Sequence, residues 1–170
     1  MKSRRIIELK VIGEKMMEKE ERSISANDTF LLQEVFHFLR PLSAEYPNFS
    51  DWYWQKVVPG LRDRTRIIRC LYVNHAMAGV IILKNTPTEK KICTLRVSSA
   101  FQKQGIGERL LARAITDLQC DAPLVTVPQI HYDAYNKLFR KAGFVLCQKR
   151  KGYYKENSIE YVYNGFLEKQ

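Results

Sequence analysis

The sequence predicts a mixed α/β fold in which strands and helices alternate along the chain. Some segments repeat apolar residues with helical spacing, whereas others are short runs rich in β-branched residues. One strand-like run leads into a turn with two glycines, Gly105 and Gly107, and then into an amphipathic helix. Because 170 residues suffice for one substantial core, we predict a single domain over 1–170, with 1–24 as a possible N-terminal extension.

The first third of the chain contains one ambiguous segment and two predicted helices. Between Arg4 and Arg22 the apolar residues fit either a helix or a short strand. The run Ser25-Ala26-Asn27-Asp28 offers an N-cap for a helix that Pro41 ends. A second helix is expected over about residues 50–58.

The remainder of the chain predicts six strands and two helices. A hairpin turn is expected at Asn74-His75, and Gly143 is expected to cap the last helix. The predicted strands cover residues 66–73, 77–84, 92–97, 124–127, 144–151 and 159–163, and the helices begin at residue 106 and span 132–142.

The segment Gln102–Gly107 predicts a site for a phosphate or pyrophosphate. Glycine permits positive φ and close approach of a ligand, and the first turn of a helix offers unpaired N–H groups. No Gly-Lys-Ser/Thr follows, which excludes a P-loop, and Leu110 stands where a dinucleotide fingerprint has its third glycine. The alternative is that the glycines only turn a strand into a helix.

Two motifs resemble those of the GNAT N-acetyltransferase family. The strand Ile92–Val97 followed by Gln-x-x-Gly-x-Gly resembles motif A, and Tyr132–Phe144 resembles motif B, usually Asn-x-x-Ala-x-x-Leu-Tyr-x-Lys-x-Gly-Phe. The resemblance covers about residues 66–165. It implies an acyl-CoA N-acyltransferase fold, in which helices flank a central, mostly antiparallel, twisted sheet.

The resemblance also implies acetyl-CoA as cosubstrate, without a metal, and a primary amine as acceptor. In this family a neutral amine attacks the thioester directly, so side chains need only handle protons. Backbone groups at Leu95 and Val97 would pair with the pantetheine arm. The residues expected around the pyrophosphate are Gln102, Lys103, Gln104, Gly105, Ile106, Gly107 and Glu108.

The motif B segment departs from the family pattern where the catalytic acid is expected. Tyr132 replaces the usual Asn, Tyr135 the usual Ala, and Phe139 the Tyr that often protonates the leaving thiolate. Tyr135 lies one helical turn before Phe139 and is the nearest substitute donor. Tyr132 and His131 are the other catalytic candidates. Packing roles for all three, and departure of the thiolate without help, remain alternatives.

The general base and the acceptor pocket are less constrained by the sequence. Relatives often carry a Glu in the strand before the glycine turn, but here Glu89 in a nearby polar loop is the closest carboxylate. We therefore expect ordered water to act as the base. The aromatic candidates for lining the acceptor pocket are Trp52, Tyr53, Tyr153 and Tyr154.

A net charge of +10 favours an anionic ligand or partner. Coenzyme A would satisfy part of this charge, and so would tRNA or another polyanion. Some small GNAT proteins are toxins that acetylate aminoacyl-tRNA, and a basic rim beside the acceptor site would suit that activity. The cluster that could form such a rim, or only a solvated face, comprises Lys137, Arg140, Lys141, Lys149, Arg150 and Lys151.

The cysteines and histidines suggest no further chemistry. The four cysteines, widely spaced, are expected to be reduced core residues, and no zinc or redox spacing is present. His37 and His75 are expected to lack partners. No apolar run reaches the roughly 18 residues that span a bilayer, and the basic N-terminus lacks the apolar core of a signal peptide. We predict a cytoplasmic protein, away from membranes, that is a monomer or homodimer.

Three functions are consistent with these observations. The first is an acetyl-CoA-dependent N-acetyltransferase. The second is an acyl-CoA-binding module without catalysis, which Phe139 and the missing strand Glu keep open. The third is an acetyltransferase whose amine is carried on charged tRNA.

Overall fold

Eight strands form one sheet in the computed structural model, which describes residues 5–12 and 15–168. The strands are β1 (Arg5–Ile12), β2 (Lys15–Ser23), β3 (Arg66–Val73), β4 (Ala76–Asn85), β5 (Lys90–Val97), β6 (Leu124–Pro128), β7 (Leu146–Lys151) and β8 (Ile159–Tyr163). Their order in the sheet is β1-β2-β3-β4-β5-β6-β8-β7. Among the strands of the described residues, only β5 and β6 pair in parallel, which confirms the predicted mixed α/β fold with a mostly antiparallel sheet.

The helices lie close to their predicted positions. They are α1 (Thr29–Leu39), α2 (Phe49–Trp52, continued by a π-helical turn Tyr53–Val57 and by Val58–Gly60), α3 (Ile106–Leu118) and α4 (Tyr132–Lys141). Asp28 caps α1 because its Oδ1 accepts a hydrogen bond of 3.2 Å from the backbone N–H of Leu31. A 3-10 turn that contains Pro41 follows α1, and Gly143 follows α4 with φ of +82°.

The ambiguous N-terminal segment forms strands. Within the described residues, β1 pairs with β2, and β2 pairs with β3 from Lys19↔Val73 to Ser23↔Arg69. The buried Glu20 of β2 is tolerated because it is paired: its carboxylate accepts hydrogen bonds of 2.7 and 2.9 Å from Arg22.

The sheet separates two apolar layers, because alternate residues of each strand face opposite sides. One layer lies beneath α3 and α4 and includes Leu71, Ile81 and Val127. The other lies beneath α1 and α2 and includes Cys70, Val80 and Ile82. Both faces of β3 and β4 are therefore buried, which explains their long apolar runs.

Helix α3 is fixed to the sheet by an ion pair near its C-terminal end and by close packing at its N-terminal end. Arg69 donates two hydrogen bonds, of 2.7 and 2.8 Å, to the Asp117 carboxylate. At the other end, a Cβ placed on Gly79 would lie 2.8 Å from Leu110 Cδ1 and 2.9 Å from Ile106 Cγ2. Gly79 thus lets the start of α3 approach β4.

The end of the chain differs from the prediction in two respects. Strand β7 begins at Leu146 rather than Phe144, whose side chain is buried in the core instead. Cys147 lies on β7, an edge strand, and is exposed, so its predicted burial is wrong. Cys70 is buried, and Cys93 and Cys120 are half-buried. Among the helices of the described residues, none is long and apolar enough to cross a membrane.

We predict that Gly79→Ala lowers the free energy of unfolding by about 1–3 kcal/mol, the usual result of overpacking a core. The methyl group would meet two side chains of α3 at less than 3.0 Å. Urea denaturation of the variant and of Ala76→Val, which adds bulk at the exposed start of β4, gives the comparison. Equal stability of the two variants would contradict the tight packing of α3 on β4.

Candidate active site

The candidate site opens where β5 separates from β6. The two strands share only the pairs Lys91↔Leu124 and Ile92↔Val125. Just beyond this point Cys93 is a bulge residue, since Ile92 and Thr94 of β5 pair with successive residues of β4. A bulge bends a strand and increases its twist, which favours divergence of β5 from β6.

A cleft of about 680 Å³ lies between the separated strands. The diverging parts of β5 and β6, the glycine turn and α4 all contribute to its walls. Eight of the nine predicted cofactor residues line it, namely Leu95, Val97, Gln102, Lys103, Gly105, Ile106, Gly107 and Glu108. The ninth, Gln104, is directed elsewhere: its side-chain amide donates to the Ala100 carbonyl at 3.4 Å.

The two glycines of the turn serve different purposes. Gly105 precedes α3 with φ of +76°, and a Cβ added there would meet nothing within 4 Å. Its requirement is therefore conformational. Gly107 lies in the first turn of α3, where a Cβ would be 3.3 Å from Leu138 Cδ2 and 3.7 Å from Val97 Cγ2. At this position glycine is needed because α3 lies close to the side chains of Leu138 and Val97.

Tyr135 is the catalytic candidate with the most specific contact in the cleft. Its hydroxyl donates a hydrogen bond of 2.7 Å to the backbone carbonyl of Leu95, a group that β5 leaves unpaired where it separates from β6. Burial raises the pKa of Tyr135, while the charge of Arg96 lowers it. The phenol therefore stays protonated at neutral pH and remains a proton donor.

The other catalytic candidates, His131 and Tyr132, and the motif B residue Phe139 divide between the cleft and the core. His131 lines the cleft, and its ring meets that of Tyr135 edge-on at 6.5 Å. Tyr132 instead stacks on Tyr161, with ring centroids 3.9 Å apart, and is not among the described residues that line the cleft. Phe139 borders the cleft but is otherwise fully buried, and it packs against Phe144.

A second cavity of about 320 Å³ adjoins the first on the α2 side of the sheet. Trp52 and Tyr154, two of the predicted acceptor residues, line it. Tyr53 does not, because it is buried in the core and its hydroxyl donates to Leu32 O at 2.8 Å. Tyr153 packs edge-on against Tyr154 with ring centroids 4.7 Å apart.

Two charged residues discussed from the sequence have partners in the structure. Glu89 borders the second cavity and forms an ion pair with Lys84. The expectation that His75 lacks a partner is wrong, because its Nε2 lies 3.8 Å from Glu18 Oε2. His37 is exposed on α1.

The structure adds two carboxylates, Glu45 and Glu160, that the sequence did not single out. Glu45 follows the 3-10 turn after α1 and lines the larger cleft. Glu160 lies on β8, only 2% exposed, and its Oε2 has no hydrogen-bond partner among the described residues. Burial, reinforced by the charge of Glu45 and opposed by that of Lys91, raises the pKa of Glu160 to about 7. The sequence signal that could have identified Glu160 is its position as the single Glu in the otherwise apolar and aromatic β8.

The basic cluster does not form one surface. Successive side chains of β7 point to opposite faces of the sheet. Lys149 lies over the Tyr161 ring, with Nζ 5.2 Å from its centroid, whereas Arg150 is opposite Glu160 in the register of β7 and β8. On α4, Lys141 pairs with Glu108 at 3.0 Å.

Comparisons with known proteins assign the family. The family model described as acetyltransferase (GNAT) domain matches residues 62–162, more than half of the chain. The protein therefore belongs to the GNAT acetyltransferase family, as its motifs predicted. No curated protein is significantly similar in sequence.

Solved structures share the fold at low sequence identity. A putative acetyltransferase of the GNAT family from Desulfovibrio desulfuricans is 18% identical, with a TM-score of 0.66 over 85% of this chain and 96% of that one. Nourseothricin acetyltransferase is 15% identical, with a TM-score of 0.55 over 59% and 65%. A putative streptothricin acetyltransferase from Bacillus anthracis, in complex with acetyl coenzyme A, is 22% identical, with a TM-score of 0.51 over 61% and 64%. The chain thus spans less than two thirds of the last two proteins.

We predict that Glu160→Gln raises the free energy of unfolding at pH 8 by about 1–3 kcal/mol and changes it little near pH 4.5. The folded-state pKa of Glu160, about 7, exceeds its ordinary 4.5. The folded protein therefore binds the proton more tightly than the unfolded chain, and the wild type loses stability as the pH rises through this window.

Urea denaturation at both pH values measures the difference. Glu156→Gln, at an exposed position of the same hairpin, is the matched control. A destabilising effect of Glu160→Gln at pH 8 would contradict the buried, charged carboxylate.

Proposed function

We propose that this protein transfers an acetyl group from acetyl-CoA to a primary amine by direct attack, as a single cytoplasmic domain over residues 1–170. The observation that carries the proposal is the cleft between β5 and β6, which ends at a glycine turn and a helix N-terminus. Such a cleft offers backbone groups to an amide-containing arm and N–H groups to a phosphate.

The proposed position of the cosubstrate follows the backbone of these elements. The pyrophosphate would lie against the first N–H groups of α3, at Ile106, Gly107 and Glu108, where the helix carries partial positive charge. The pantetheine arm would run along Leu95 and Val97 of β5. The acetyl-CoA complex of the Bacillus anthracis acetyltransferase, which has the same fold, supports a CoA site here.

The proposed chemistry needs one proton for the departing thiolate. We assign this role first to Tyr135, which lies in the cleft with its hydroxyl on Leu95 O. His131 is the second candidate because it lines the same cleft. Tyr132 is the weakest, since its ring is stacked on Tyr161. For the proton that the acceptor amine loses, ordered water is the base expected from the sequence. Glu89, the closest carboxylate in the sequence, forms an ion pair with Lys84.

A non-catalytic acyl-CoA-binding module is the second candidate function. The observation that favours it is Phe139, which occupies the position of the family tyrosine, is buried and cannot donate a proton. Release of CoA thiol from acetyl-CoA in the presence of a panel of amines distinguishes the two functions. An enzyme shows amine-dependent release, whereas the module binds acetyl-CoA and releases no thiol.

We predict that Gly107→Phe weakens acetyl-CoA binding at least about tenfold, or roughly 1.4 kcal/mol. Gly107 lines the cleft, and a Cβ there already contacts Leu138 and Val97, so a larger side chain must occupy the space beside the helix N-terminus. Calorimetry gives the affinity. Ala112→Phe adds the same bulk at an exposed position of α3 and should bind normally; equal affinity of all three proteins would remove the basis for this CoA site.

We predict that Tyr135→Phe lowers kcat by about 10²-fold or more, the usual size of a general-acid contribution, with acetyl-CoA affinity nearly unchanged. Only the hydroxyl on Leu95 O is lost. Steady-state kinetics with Tyr153→Phe, another half-buried tyrosine, provide the control. If kcat stays within a few-fold while thermal stability falls, the hydroxyl only ties α4 to β5.

A further inference from the structure

Two carboxylates near the cleft, Glu45 and Glu160, are given no role by the proposed mode of CoA binding. Glu45 lines the cleft, and its side chain is 16% exposed. Glu160 lies deeper, 2% exposed, and its Oε2 has no hydrogen-bond partner among the described residues. A buried carboxylate oxygen without a donor is costly, so it points to a cationic or hydrogen-bonding ligand.

The register of β6 and β8 places Glu160 on the acceptor face of the sheet. Pro128 pairs with Glu160 and Thr126 with Val162, so these four side chains share one face. Thr126 lines both the larger cleft and the second cavity. Glu160 is therefore on the face where the two cavities meet, but it is buried behind their walls rather than among the described residues that line them.

Aromatic rings complete this corner of the cleft. Tyr46 lines both cavities, and its ring meets that of Tyr154 edge-on at 5.3 Å. Trp52 lies on the wall of the second cavity. Aromatic faces attract cations, and together with two carboxylates they suit an alkylammonium group.

We propose that Glu45 and Glu160 form the subsite for the acceptor's ammonium group, and that the acceptor is an aliphatic amine, cationic at neutral pH, rather than an amine carried on a polyanion. The proposal rests on acetyl transfer for its chemistry, but the ammonium subsite itself can be tested by binding alone. The raised pKa of Glu160, about 7, suits a group that takes up a proton near neutral pH.

The protons of the reaction then balance. The ammonium R–NH3⁺ gives one proton to the Glu160 carboxylate, from which it passes to solvent. The freed nitrogen lone pair forms the C–N bond to the acetyl carbonyl, and the C–S bond breaks with its electron pair on sulfur. The nitrogen loses its second proton, and the thiolate gains one, so the products are the acetamide, CoA thiol and one proton.

Other charged groups near Glu160 influence its pKa and must be considered when the pH dependence of binding and turnover is interpreted. Lys91 of β5 donates a hydrogen bond of 3.0 Å to the Tyr154 hydroxyl, and Lys155 lies 4.0 Å from Glu45. The titratable and charged groups around Glu160 are Glu45, Tyr46, Lys91, Arg150, Tyr154 and Lys155.

The first experiment measures calorimetric binding of n-butylammonium to the complex with CoA, which carries no acetyl group and cannot react. At pH 8 we expect Glu160→Gln and Glu45→Gln each to weaken binding at least about tenfold, as for loss of a charged hydrogen-bond partner. Glu156→Gln, with the same charge change at an exposed site, should bind like the wild type. Wild-type binding should weaken as Glu160 is protonated below about pH 7.

The second experiment compares turnover of n-butylamine with that of aniline, which is neutral at pH 7 and needs no proton removed before it attacks. We expect Glu160→Gln to lower kcat/KM about 10²-fold for n-butylamine and only a few-fold for aniline. The rise of wild-type kcat/KM for n-butylamine through about pH 7 should disappear in this variant.

The outcomes separate this subsite from the proposed reaction. Binding of n-butylammonium that both Gln variants retain overturns the subsite, and so does a clear preference of the wild type for aminoacyl-tRNA over n-butylamine. Glutamate-dependent ammonium binding without release of CoA thiol supports the subsite and contradicts acetyl transfer. Because Glu45 is partly exposed, Glu45→Gln keeps the test valid even if Glu160→Gln fails to fold.

Discussion

The separation of β5 from β6 is the constraint on which the rest of the site depends. Two register pairs join these strands, after which the backbone N–H and C=O groups that they direct toward each other have no partner in the sheet. Buried backbone groups need hydrogen bonds from some source. Tyr135 supplies one, on Leu95 O, and the others face a cleft that an amide-containing ligand can enter. An unbroken parallel pair would satisfy the same groups and leave no cleft.

The elements of this fold could be predicted where a local pattern determines them. Apolar runs rich in β-branched residues identify β3 to β5, and Gly105 and Gly107 mark the start of α3. The segment that forms β2 could not be predicted, since its alternating charges also fit a helix. Its strand form depends on distant residues, because Glu21, buried in β2, lies 3.1 Å from Arg113 of α3.

The two halves of the candidate site also differ in whether a local sequence pattern marks them. The cofactor half is local: it needs a strand, a turn with particular φ angles and a helix N-terminus, all within Ile92–Glu108. The proposed acceptor half brings together Glu45, Lys91 and Glu160 from three segments that are far apart in the chain. No sequence spacing marks such a group, and a single Glu in a strand usually lies on a solvated face. Only the register of β6 and β8 shows that Glu160 faces inward.

Opposite charges at the two ends of the cleft are compatible with a net charge of +10. The field of exposed lysines is screened within about 8 Å at physiological ionic strength, whereas buried charges are screened much less. The basic surface can therefore attract an anionic cosubstrate to the glycine turn without cancelling the local effect of Glu45 and Glu160. Conversely, a polyanionic acceptor would have to bring its phosphates close to two carboxylates, of which Glu160 is held in a low-dielectric environment. In the proposed reaction, net charge thus concerns the approach of the cosubstrate, whereas the local carboxylates would govern the choice of acceptor.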